Sequence, residues 1–289
     1  MNASKLNLPS WPSYSSEEVN AVVRTLRSNK VNYWTGEECK KFEQEYSKWS
    51  NSLHAIALSN GTVALDLALK AVKIKKGDEV IVTPRSFIAS VSSVVQSGAT
   101  PIFADVDKRT GNLSAETIIK KITKNTKAII CVHLGGIPCE MDPIMDLAKK
   151  RKIYVIEDCA QAHGAKYKSK SVGSIGDIGA WSFCQDKIMT TGGEGGMVTT
   201  NNEAFWKSMW SFKDHGKDFD GVNRLNKDYK FKWVHDSFGT NFRMTEMQGV
   251  LGRYQLKKMK SWNISKPAAK QFLFLLRKFA IKQYQFTSV

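Results

Sequence analysis

No CxxC pair occurs in this sequence, and its five cysteines make an odd count. An odd count without a CxxC pair argues against a disulfide framework and against a structural zinc site. Cys39, Cys131, Cys139, Cys159 and Cys184 are expected to be mostly buried, reduced thiols. No stretch approaches the ~18 apolar residues that a membrane-spanning helix needs. The opening segment, Met1 to Trp11, lacks the basic start and apolar run of a secretion signal. These absences predict a soluble, cytoplasmic chain with no metal and no membrane partner. Acidic residues are few: 27 Asp and Glu stand against 43 Lys and Arg, a net charge of +16. Such an excess suggests nucleic acid, but RNA-recognition, zinc-finger and helix-turn-helix signatures are all missing. The lysines are also spread along the whole chain. The charge is read as a Lys-rich solvated surface, with no nucleic-acid partner, whose field favours an anionic small substrate.

What the sequence does contain is alternation. Apolar, β-rich runs at Ala55–Leu58, Glu79–Thr83, Pro101–Ala104, Ala128–Val132, Ile153–Ile156, Ala180–Phe183 and Met197–Thr200 read as strands. Helical patterns lie between them, over 64–69, 89–97, 114–122 and 142–150. Thr245 opens a further helix, with Gln248 as its capping-box partner. Continuous apolar strands alternating with helices imply a mostly parallel sheet covered on both sides, an α/β fold in three layers. Ligands of such sheets bind at the carboxyl ends of the strands.

Four segments with chemical potential fall at those ends. Glu157-Asp158-Cys159-Ala160-Gln161-Ala162-His163-Gly164 ends one strand. Its acidic pair fits metal, nucleophile or acid–base roles, or a solvated strand terminus. Ser182 to Lys187 follows another strand and leads into the glycine-rich stretch 192–196. That stretch lacks the Gly-Lys-Ser/Thr ending of a nucleotide-binding P-loop. Ser59-Asn60-Gly61-Thr62 lies between strand and helix, where free amides bind phosphate or form an ordinary N-cap. Phe87, after a strand, could stack on a ring or pack in the core. Together they meet the needs of pyridoxal phosphate: an imine-forming lysine, a carboxylate for the pyridine nitrogen, phosphate donors at a helix start and a flat ring partner.

These segments resemble the nucleotide-sugar aminotransferases, the DegT/StrS group of fold-type I pyridoxal-phosphate enzymes. The likeness spans about Leu8 to Met259. It is carried by Ser-Asn-Gly-Thr-Val-Ala-Leu at 59–65, Gly-Asp-Glu-Val-Ile-Val at 77–82 and Gly-Ala-Thr-Pro-Ile-Phe-Ala-Asp-Val at 98–106. Val-His-Leu-Gly-Gly at 132–136, the 157–164 segment, the Lys187 segment and Gly-Thr-Asn-Phe-Arg-Met-Thr-Glu at 239–246 complete it. The resemblance implies that Lys187 is the imine lysine and proton carrier, and that Asp158 pairs with the pyridine nitrogen. It places Gln161 near the ring oxygen, Phe87 on the ring, and Gly61, Thr62 and Ser182 at the phosphate. Asn241 would reach the phosphate of a neighbouring subunit, which implies a homodimer with shared sites. Arg243 would assist with a substrate diphosphate, and His163 would line the site or pack beside it.

The implied reaction moves an amino group from an amino acid, usually glutamate, to a keto-sugar carried on a nucleoside diphosphate. Its setting would be amino-sugar and surface-polysaccharide biosynthesis. Some relatives with dehydratase activity have histidine in place of the imine lysine; Lys187 favours transamination. A cofactor-binding homologue without turnover is the other alternative. The expected organisation is a large cofactor-binding domain over 1–245, with 246–289 opening a small C-terminal domain that reads as truncated or divergent. Pro267 interrupts helix there, and the apolar run 271–276 reads as a remnant helix.

Overall fold

The computed structural model describes residues 11–224, 235–259 and 262. Pro267 and the apolar run at 271–276 lie outside the described residues. Two helices come first, α1 (Ser16–Arg27) and α2 (Glu38–Ser50). The expected alternation follows as β1 (His54–Leu58), α3 (Gly61–Ala71), β2 (Glu79–Val82), α4 (Ala89–Gln96) and β3 (Thr100–Phe103). It continues through α5 (Ala115–Ile119), β4 (Thr126–Val132), α6 (Met141–Arg151) and β5 (Tyr154–Asp158). A short hairpin, β6 (Lys166–Tyr167) and β7 (Lys170–Ser171), precedes β8 (Ile178–Ser182) and β9 (Gly196–Thr200). Then come α7 (Glu203–Lys213), α8 (Phe219–Arg224) and α9 (Glu246–Met259). Among the described residues, no helix is long and apolar enough to cross a membrane.

Seven strands form one sheet in the order β1-β9-β8-β5-β4-β2-β3. The neighbours from β8 to β3 are parallel, while β9 runs antiparallel to both β8 and β1. The period of two along each strand splits its side chains between two cores. Val80 and Val82 pack under α3 and α4, and Ile81 faces the core that holds Ile144 of α6. A third cluster, with Phe42, Tyr46, Trp181, Phe183 and Leu256, seats α2 and α9 against the sheet.

Local sequence sets several helix starts. Ser15 and Glu18 form the capping box of α1. Thr245 and Gln248 cap α9 reciprocally, as their spacing predicts: the Thr245 amide donates to Gln248 Oε1 at 2.9 Å, and the Gln248 amide to Thr245 Oγ1 at 3.4 Å. The helix expected over 114–122 stops at Ile119. The chain turns there, and Thr126 Oγ1 accepts the Thr123 amide at 2.9 Å.

Helix α2 has no cap from its own N-terminal residues. The buried carboxylate of Glu246 supplies one from across the chain, with Oε2 2.5 Å from the Glu38 amide and Oε1 3.2 Å from the Cys39 amide. A side chain at Gly36 would collide with that carboxylate. Glu246→Ala is expected to strip two amides of their acceptor and cost about 2 kcal/mol. Urea unfolding reads this as a lower midpoint; an unchanged midpoint would show that the cap carries no weight.

Candidate active site

The carboxyl ends of β5 and β8 open on a cavity of about 650 Å³. Gly61, Thr62, Phe87, Asp158, Gln161, Ser182 and Lys187 all line it. Residues spread over more than a hundred positions of sequence thus meet in one space.

One corner is built for an anion. Asn60 caps α3 by accepting the Val63 amide at 3.0 Å. The Gly61 and Thr62 amides stand before it, in the first turn, where a helix has no internal acceptors. Gly61 abuts β8 so tightly that a Cβ there would lie 2.6 Å from Ser182 Cβ. Glycine is therefore needed to bring the helix start against the strand end. Ser182 Oγ accepts the Cys184 amide at 3.3 Å, which leaves its own proton available to a ligand. Thr62 is exposed at the cavity.

Asp158 ends β5 and is buried. Its Oδ2 accepts the Ser90 hydroxyl at 2.7 Å, and Oδ1 accepts the Ala160 amide at 3.1 Å. Ser90 is in turn 2.7 Å from the Ser86 hydroxyl. Burial pushes the Asp158 carboxyl up; the Ser90 bond, the Ala160 amide and the nearby His133 and Lys187 offset this only in part. A buried carboxylate in this condition favours a cationic partner. Gln161 is aimed by backbone: its Oε1 accepts the Gly135 amide at 2.8 Å, and Gly135 and Gly136 turn with φ of 60° and 77°.

Lys187 rides on the β8–β9 connection, which folds back on itself. The Phe183 amide donates to Gly195 O at 2.8 Å and the Gln185 amide to Gly193 O at 3.0 Å. Gly192 and Gly193 take φ of 91° and 122°, so these glycines shape the turn that carries the lysine. The Lys187 ammonium pairs with exposed Asp186 at 3.0 Å. Phe87 is 68% exposed, its ring free to cover a flat ligand.

Three sequence-predicted residues lie outside this lining. His163 is buried behind it, with ring centroids 5.4 Å from Trp181 and 5.6 Å from Phe183. Burial, then the charge of Lys187, lowers its pKa to about 3, so the imidazole is neutral. Neither ring nitrogen meets a hydrogen-bond partner among the described residues. Asn241 is exposed, and its Oδ1 accepts the Arg243 amide at 3.3 Å. Arg243 Nη1 donates to the buried Asp214 at 2.6 Å, and Lys217 joins the same carboxylate at 3.0 Å. Sequence reasoning missed Ser90, Ser86 and Gly135. Ser86 lies in the bend before α4 and Ser90 in its first turn, so no helical periodicity marks the pair.

The residues fit pyridoxal phosphate. Free amides and two hydroxyls suit the phosphate, a buried carboxylate suits a protonated ring nitrogen, and an amine and a free aromatic ring complete the wall.

The family model described as "DegT/DnrJ/EryC1/StrS aminotransferase family" matches residues 6–282, beyond the Met259 at which the recognisable segments end. GDP-perosamine synthase of Escherichia coli O157:H7 is 45% identical over 250 residues, covering 86% of this chain and 64% of that protein. The X-ray structure of an aminotransferase from Psychrobacter cryohalolentis superposes with a TM-score of 0.90 at 60% identity, over 95% of this chain and 70% of that one. A 3-amino-5-hydroxybenzoic acid synthase structure follows at TM-score 0.80 and 32% identity, over 88% and 64%. The chain thus spans roughly two thirds of the length of these relatives. Aminotransferases of this family use pyridoxal phosphate. With its fold, its strand-end cavity and a match along nearly its whole length, this chain belongs to the DegT/DnrJ/EryC1/StrS aminotransferase family.

Proposed function

We propose that this protein is a pyridoxal-phosphate-dependent aminotransferase that passes an amino group from L-glutamate to a nucleotide-linked keto-sugar. The convergence of Lys187, Asp158, Gln161 and the α3 start on one cavity carries the reading. The sugar assignment draws on the relative described as GDP-perosamine synthase, and amino-sugar or surface-polysaccharide synthesis is its natural setting.

Pyridoxal phosphate, when bound, supplies an electron-withdrawing ring next to the substrate carbon. The chain's own residues do the rest. The Gly61 and Thr62 amides, with the Thr62 and Ser182 hydroxyls, bind phosphate at a helix start where the dipole favours negative charge. Asp158, steadied by Ser90, holds a proton on the ring nitrogen. Gln161, anchored by Gly135, faces the ring oxygen, and Phe87 covers the ring. Lys187, in the cavity lining and paired with Asp186, would hold the cofactor through its amine and would carry a proton to and from the substrate carbon. Asn241 lies outside its own cavity and exposed, which suits a role in the site of a second copy in a homodimer. Arg243, fixed by Asp214, is the cation nearest to it in sequence and would serve a diphosphate there. His163, neutral and buried, supports the wall that bears Lys187.

Lys187→Ala is expected to abolish borohydride-trapped cofactor and to lower turnover by roughly a thousandfold. Trapped cofactor in that variant would move the assignment to another lysine. Asp158 gives a sign-specific test. Its raised carboxyl means that its contribution to stability is present in acid and lost as pH rises through the raised value. Asp158→Asn is therefore expected to melt higher than the cofactor-free parent at pH 7, yet to transaminate about a hundredfold more slowly. A variant that melts lower at pH 7 and transaminates normally would remove Asp158 from its role.

A further inference from the structure

The positive charge of this chain has a place in the fold. Because β2, β4 and β5 are parallel neighbours, the segments that lead into them meet at the end of the sheet opposite the cavity. Lys75 and Lys76 lead into β2, Lys121 and Lys124 into β4, and the basic run 149–152 into β5. These segments touch: the Glu79 amide donates to Asn125 O at 2.9 Å, and Ala128 pairs in register with Tyr154. Adjacent strands lie about 4.8 Å apart, so the cations form one compact surface.

All these basic residues are exposed, and none has an ion-pair partner among the described residues. The acidic groups beside them are engaged. Asp78 is buried and accepts the Lys75 amide at 3.1 Å, Glu79 accepts the Thr123 and Thr126 hydroxyls, and Asp177 accepts the Val155 amide at 2.7 Å. Asp146, a turn back on α6, is the exposed acid nearest in sequence to the basic run. The helix dipole favours cations in the last turn of α6. Lys75, Lys76 and Lys124 sit in loops, beyond the reach of that explanation.

We propose that this end of the sheet is a docking face for an anionic lipid bilayer. Lysine outnumbers arginine on it, and compact point charges suit a diffuse negative surface, whereas planar guanidinium dominates bidentate reading of nucleic acid. Apolar side chains stand among the charges: Ile119 is 49% exposed and Tyr154 38%. A tyrosine with one wet and one apolar end fits the headgroup level. Among the described residues no helix is long and apolar enough to cross a membrane, and attachment to a surface needs none. Docked this way, the protein keeps the cavity of Asp158 and Ser182 one strand length, about 15 Å, from the lipid and facing away from it.

The test is co-sedimentation of the full chain with vesicles of phosphatidylcholine alone, or with roughly a third phosphatidylglycerol. Binding to the anionic vesicles only is expected, with release at 1 M salt, where the Debye length is about 3 Å. The combined variant Lys76→Glu, Lys121→Glu, Lys124→Glu, Lys150→Glu, with an unchanged melting temperature, is expected to partition at least about tenfold more weakly. If that variant does not fold, the salt titration of the parent still decides. Parent protein left in the supernatant with both vesicles, or a folded variant that binds equally, overturns the proposal. Retention on duplex DNA at a salt concentration that frees the vesicles overturns it in favour of nucleic acid.

Discussion

The cavity depends on one buried carboxylate that never reaches it. Glu157 sits beside Asp158 on β5 but points to the opposite face of the sheet, as the period of two requires. It accepts His133 Nε2 at 2.9 Å and the amides of Gly173, Ile175 and Gly176 at 2.9, 2.8 and 2.7 Å. Burial alone would push this carboxyl up, but the imidazole and the amides hold it below the usual range. His133 Nδ1 accepts the Cys139 amide at 3.1 Å, so its proton must lie on Nε2, toward Glu157. The pair thereby ties the end of β4, the end of β5 and the loop before β8 together. Those elements carry Gln161's anchor, Asp158 and Ser182.

A division of labour follows. On one face, Asp158 has a raised carboxyl and calls for a cation. On the other, Glu157 has a lowered one and is fully satisfied within the protein. Two adjacent acids serve opposite ends because only one has its charge met by the fold. The same network engages His133 and Glu157, whose ligand atoms lie with that of Cys159 within 4.8 Å of one another. The imidazole nitrogens and the carboxylate are already spent on hydrogen bonds.

Much of this was legible in the sequence. The parallel sheet showed in apolar runs broken at regular intervals, and the chemistry showed as polar residues at the ends of those runs. Strand direction did not show: β9 reverses relative to β8, and no periodicity encodes a sign. Helix α1 was not read although its Ser15–Glu18 capping box is local, and α2 was not read because what fixes it is a carboxylate 208 residues away at Glu246. Ser90 was missed for the same reason, since its partner Asp158 is 68 positions on. Local pattern reports which elements form; long-range hydrogen bonds decide how they lock.

The junction of Gly61 with Ser182 also constrains change. Helix α3 follows the edge strand β1, yet its first turn must reach β8, two strands inward across β9. The chain makes that crossing between Leu58 and Gly61, over the start of β9, where a side chain at Gly196 would collide with Asn60 O. This connection works as a ruler. An added residue would lift the amides off the strand end, and a missing one would leave them short, so variation that adapts this scaffold to new acceptors has to enter elsewhere along the rim.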